Sequence, residues 1–332
     1  MSWNETISPD EESRFAQYAQ QLGDMQKRRD GDGKKSRALH ARQLGAVRAE
    51  FEVLPNLPPE AAIGIFGTPR VYPAFVRYSS GAARHQRDSI ADIRGLALKV
   101  LEVPGNKILS GKDDAHTQDF LMIQSPVLPF RNTDEFMFVV NALMKNPRTV
   151  PFKLLGRFGL FRTFAIAQIQ RKRFGRHIPT LAAERFWSPV PIRWGARAAK
   201  YGVVPVAGVS APRVSTPPAT YLADEFAERI AREAVTYEFR VQFFVDEKQT
   251  PIEDASVEWT EEVSPFTTVA RLVIPVQDVA SPEGLERAAS VEKMSFDPWH
   301  APEEFRPLGD IMRARKHAYF VSGKGRDAGA EP

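Results

Sequence analysis

Two blocks of strand-forming sequence, residues 37–125 and 237–276, flank a helical stretch and a proline- and aromatic-rich segment, and this order leaves few folds open. The first block contains AEFEVLP, YPAFVRYSS, RGLALKVLEV and QDFLMIQS, separated by the turn signals NLPPE, GTPR and VPGN. The second contains YEFRVQFFV and TTVARLVIPV, the former with clear period-two alternation. Residues 133–148 predict a helix capped by Asn132 or Thr133, and 151–172 continue as a mixed aromatic and basic helical stretch. The segment 178–220 carries Phe186, Trp187 and Trp194, which favour burial, so it predicts an extended strap across a surface rather than a linker between domains. An α+β architecture follows: one closed antiparallel β-barrel with helices packed outside it.

With 332 residues and 43% hydrophobic content, the chain can bury one large core. Residues 1–34 predict a helical arm, 35–326 the main domain and 327–332 a flexible tail. The absence of cysteine excludes disulfides and thiolate-held metals. A net charge of +4 is too small for this length to imply nucleic acid, and the basic runs at 27–37 and 171–177 sit beside no nucleic-acid-binding motif. The N-terminus is acidic where a secretory signal would be basic, and nowhere do 18 uncharged apolar residues occur together. A cytoplasmic protein with no membrane partner is expected.

Two constellations carry chemistry. Arg315 and Tyr319, in the run GDIMRARKHAY, are spaced i,i+4, so a helix places the guanidinium over the phenol oxygen. The cation favours phenolate, a hard anionic ligand suited to ferric iron, although most pairs at this spacing are ordinary surface contacts. Near the other end, RALHARQ places His40 among small and apolar residues, which predicts a partly enclosed imidazole on a strand. In AFVRYSS, Arg77 and Ser79 share one strand face and could hold a hydroxyl against that ring. A neutral imidazole in a pocket is a good acid–base group near neutral pH. By itself, His40 equally suits a structural role.

Taken in order along the chain, these segments resemble the catalase superfamily, specifically its short haem-binding members. The resemblance rests on RALHARQLGAVRAEFEV (37–53), FVRYSSGAARHQRDSIADIRGLALKV (75–100) and RKHAY (315–319), and it spans roughly residues 35–326. It implies a catalase-like barrel of about eight strands that binds haem b (iron protoporphyrin IX). His40 takes the place of the distal histidine and Ser79 of the hydroxyl that orients it. Arg37, Arg77 and Arg326 take the places of haem-propionate arginines, and Phe136 that of a distal phenylalanine. Tyr319 takes the place of the iron ligand, paired with Arg315, while Asp92, Arg94 and Gly95 take structural places.

The chain departs from the pattern at one point. Where long catalases carry a distal asparagine, MIQSPVLPF puts Ile123, and this leaves Gln124 beside it as the polar catalytic candidate. Loss of a donor that would steer a second hydrogen peroxide favours peroxidase over catalase chemistry. The resemblance therefore implies a haem-dependent peroxidase that reduces organic hydroperoxides and hydrogen peroxide with a small organic electron donor and retains weak catalase activity; the sequence leaves the oligomeric state open, with a homodimer as one option. Relatives that rearrange fatty-acid hydroperoxides to allene oxides carry threonine before the distal histidine, whereas Leu39 is aliphatic. A non-enzymatic haem carrier is the other alternative. A non-haem site is disfavoured because the six histidines show no HExxH or similar ligand spacing.

Overall fold

The computed structural model describes residues 2–31, 36–83, 85–109, 115–206, 208–210 and 218–325. Helix α1 (Glu11–Asp30) precedes strands β1 (Arg42–Val53), β2 (Val71–Ser80), β3 (Arg94–Val100) and β4 (Gln118–Ile123). Helices α2 (Thr133–Lys145) and α3 (Val150–Ile169) follow, then the short strands β5 (Phe186–Trp187) and β6 (Ile192–Trp194) and the long β7 (Arg197–Pro205). The chain continues through α4 (Tyr221–Ile230), β8 (Val235–Phe243), β9 (Thr267–Ile274), α5 (Pro282–Lys293) and α6 (Asp310–Gly325).

All pairings between these strands are antiparallel. They run in the order β5-β4-β3-β2-β1-β9-β8-β7, and a further β5–β7 pairing closes eight strands into a barrel, with β6 added outside the ring on β7. The sequence expectation of a closed barrel with surrounding helices holds. The strap predicted over 178–220 is different: it contains β5, β6 and β7, and β5 and β7 supply the closure. Period-two alternation could not reveal β7, because its residues from Ala198 to Val204 are buried on both faces.

Strand alternation sorts the barrel into an inner and an outer face. In β2, Tyr72, Ala74, Val76 and Tyr78 join the main core, whereas Phe75 packs outward with Ala46 and Ala97 beneath Val291, Met294 and Phe296. The inside is filled by aromatic rings. Phe51 and Phe239 meet edge to face at 5.2 Å, Phe120 lies 5.0 Å from Phe239, and Phe66 packs 4.6 Å from Trp194. Such offset and edge contacts suit the ring quadrupole. The barrel interior is thus a packed core.

The N-terminal arm clamps α6. Phe15 of α1 meets His317, and the Arg313 guanidinium pairs with Glu5, Glu11 and Glu253 at 2.7, 2.6 and 3.0 Å. Gly23 allows close helix packing, because a Cβ there would come within 2.5 Å of Val321. No helix among the described residues is long and apolar enough to cross a membrane.

Candidate active site

The site begins with a row on the outer barrel face. Register places Ser79 opposite Gly95, and Gly95 opposite Ile123, so the three lie side by side across β2, β3 and β4. Arg77, Ala97 and Leu121 form the next row. His40 lies over the first row. Its Nδ1 is 2.9 Å from Ser79 Oγ, and a Cβ on Gly95 would come within 2.8 Å of the imidazole. Glycine is needed in β3 so that the ring can approach the sheet this closely.

His40 is not on a strand, contrary to expectation; it sits just ahead of β1 with φ +54. That left-handed conformation is uncommon for a residue with a side chain. Two hydrogen bonds over-determine it: its amide donates to the Gly81 carbonyl at 3.0 Å, and its carbonyl accepts from Arg77 at 3.1 Å. Arg77 therefore serves the histidine as well as facing the site.

Burial, with help from the cations Arg77, Arg315 and Arg37, pushes the His40 imidazole down to about 3. The ring is neutral at pH 7. With Nδ1–H donating to Ser79 Oγ, Nε2 is left as an unprotonated acceptor. An unfolded histidine takes up its proton near 6.5, so between that pH and about 3 the unfolded chain binds more protons. The His40 contribution to stability is complete above the unfolded value and is lost as pH falls. Asp297 acts in the opposite sense: burial raises it to about 6, and its contribution is lost as pH rises from 3.8 through that value. Comparison with His40→Gln isolates the histidine. Between pH 7 and pH 4, the parent should lose about 2–3 kcal/mol of unfolding free energy relative to the variant in denaturant titrations. A constant difference would show the ring titrating as if exposed.

The arginines converge with an acid that the sequence did not mark. Arg77 donates to Glu292 Oε2 from Nε at 3.0 Å and from Nη2 at 2.9 Å, and Arg37 Nε lies 3.6 Å from Glu292 Oε1. Arg37 also donates to the carbonyls of Glu292 and Met294 at 3.1 and 3.0 Å. Glu292, near the end of α5, thus brings both cations to one carboxylate. Nothing in the local sequence SVEKMSF signals this, because the contact joins elements more than two hundred residues apart.

From α6, Arg315 Nη2 donates to Tyr319 Oη at 2.7 Å, with the guanidinium 5.1 Å from the ring centroid. This is the geometry expected of the i,i+4 pair. Ala38 N donates to Ser322 Oγ at 3.4 Å, so the segment just ahead of His40 meets α6 just beyond Tyr319 and the two constellations are neighbours.

Other candidates lie apart. Gln124 is buried, and its amide is engaged by main chain: Oε1 accepts from Arg94 N at 2.7 Å, while Nε2 donates to Asp92 O and Arg173 O at 3.2 and 3.3 Å. Ile123, not Gln124, shares the row with Ser79. Phe136, in α2, makes its ring contact with Phe130 at 5.8 Å. Arg326 and the 327–332 tail lie outside the described residues. Of the remaining histidines, His300 is buried 3.1 Å from Asp119 and His177 stacks on Tyr221. No group of three or more His, Cys, Asp or Glu among the described residues could hold a metal ion.

The closed antiparallel barrel with helices packed around it is a catalase-like fold. A fungal catalase superposes with a TM-score of 0.68 at 17% identity over 88% of this chain and 59% of that one. Catalase A from Saccharomyces cerevisiae gives 0.69 at 17% over 92% and 64%, and a bacterial catalase 0.67 at 14% over 93% and 60%. At these identities the likeness is one of fold, and the chain spans less than two thirds of each catalase. No family model and no curated protein sequence matches the chain.

Proposed function

We propose that the protein is a haem-dependent peroxidase that reduces organic hydroperoxides and hydrogen peroxide at the expense of a small organic donor, with weak catalase activity. The observation that carries this reading is His40 held by Ser79 and Arg77 on the outer face of a catalase-type barrel, with Arg37, Arg315 and Tyr319 nearby.

The residues fit haem b. Arg37 and Arg77 are cations that can pair with a carboxylate, and a haem propionate would have to share them with, or take them from, Glu292. Tyr319 offers the oxygen for iron and Arg315 the adjacent positive charge, whereas Phe136 and Arg326 belong to the proposed set by the resemblance to catalases alone. Catalases hold haem iron through a tyrosine, and the ligation by Tyr319 is drawn by analogy with them. When bound, haem would supply the redox chemistry that cleaves a peroxide bond and accepts electrons from a donor.

The protein's own part is proton transfer and orientation. His40 Nε2 takes the proton from one peroxide oxygen and returns it to the departing one, so that water or an alcohol leaves. Ser79 fixes the ring, and Arg77 fixes the His40 backbone. Ile123, in the same row, offers no hydrogen bond to a second hydrogen peroxide. A missing contact of that kind commonly costs about 1–3 kcal/mol, which disfavours the peroxide-oxidising half of a catalase cycle. An alkyl hydroperoxide is not penalised in this way.

Purified protein is expected to hold one haem b per chain. On haem-loaded protein, cumene hydroperoxide should drive donor oxidation while oxygen release from hydrogen peroxide stays slow. Rapid oxygen release with little donor oxidation would overturn the assignment, as would an active, folded preparation lacking porphyrin. An epoxide or ketol from a lipid hydroperoxide would indicate rearrangement instead.

A further inference from the structure

Helix α3 is poorly covered by the rest of the described chain. Only Leu154 and Ile166 of its residues are buried, whereas Phe152, Leu160, Phe161 and Phe164 are 77%, 68%, 91% and 67% exposed. Leu155 is exposed beside them, as are Leu143 and Met144 at the end of α2. Gly159, with φ 74 and ψ 176, breaks the helix into two arms, and nothing lies within 4 Å of the position its Cβ would take. Leu160 and Phe161 therefore stand at an outward corner. Single exposed apolar residues are common, but this many on one short element marks an interaction surface.

Charge identifies the partner. Between Glu135 and Glu184 the chain has nine lysines and arginines and no acidic residue. Three are neutralised by neighbours, in the pairs Arg162–Glu135, Arg173–Glu258 and Arg176–Glu184. Lys145, Arg148, Lys153, Arg157, Arg171 and Lys172 form no ion pair among the described residues, and all except the half-buried Lys153 are exposed. Bulky apolar side chains flanked by cations, on a helix that does not span, are the composition of an element lying in the headgroup region of an anionic bilayer. A second copy of this chain would bring like charges together at the same patch.

We propose that α3 is a peripheral docking surface for anionic lipid bilayers, with the Phe161 corner inserted and the basic residues at the headgroups. The sequence expectation of no membrane partner tested only for spanning and signal segments, and a surface-lying element escapes that test. The proposal stands independently of haem chemistry.

Sedimentation of the full chain with phosphatidylcholine vesicles containing phosphatidylserine tests it. The protein should pellet with these vesicles, remain in solution with phosphatidylcholine alone, and be released by high salt. A Phe161→Ser/Phe164→Ser double variant, with an unchanged circular dichroism spectrum and melting curve, should bind at least tenfold more weakly. Arg157→Gln/Arg171→Gln/Lys172→Gln should lose a similar factor. Failure to bind anionic vesicles would overturn the proposal, as would equal binding by parent and variants. A dimer in solution that dissociates in the phenylalanine variant, without vesicle binding, would assign the patch to self-association and overturn it too.

Discussion

His40→Ala is expected to leave haem bound but to slow the first reaction with peroxide by about 10²-fold or more, the usual scale for a positioned proton-transfer group. The expectation rests on three features of the ring. It is neutral, because burial and three nearby arginines oppose its charge; it is held through Nδ1 by Ser79; and its backbone is fixed by Arg77 and Gly81. A peroxide is a weak acid, and without a base at Nε2 its proton must go to solvent. Stopped-flow absorbance in the Soret region reads the step directly, and equal rates in variant and parent would return His40 to a structural role. Ser79→Ala should slow the same step less, since it loosens the ring without removing it.

Tyr319→Phe is the second large effect: ferric haem should be lost on purification or show a sharply altered spectrum. The substitution removes the only oxygen on that side chain and takes from Arg315 the acceptor it meets at 2.7 Å. Loss of a hydrogen bond from a part-buried guanidinium commonly costs about 1 kcal/mol, so the melting temperature should fall slightly as well. Haem content and spectrum distinguish a lost ligand from general destabilisation, because a merely destabilised protein would keep the parent spectrum at low temperature. An unchanged spectrum with full haem occupancy would move the iron ligand elsewhere.

The sequence by itself determined what periodicity can determine. Alternation in β2 put Arg77 and Ser79 on one face, and helical spacing put Arg315 one turn from Tyr319; both are local consequences of backbone geometry. The order of strand blocks indicated a closed barrel. Tertiary structure alone decided how it closes, since β7 is covered on both faces and shows no alternation, and β5 is two residues long. It alone turned His40 back over Gly95 with a positive φ, at a position with no glycine or asparagine to announce it. It placed Ile123 in the row with Ser79 and gave the Gln124 amide to main chain. It brought Glu292 between Arg37 and Arg77, and left the apolar corner of α3 uncovered. Periodicity states which side chains share a face. Which face is covered, and by what, depends on contacts between distant segments, and those exist only once the chain has folded.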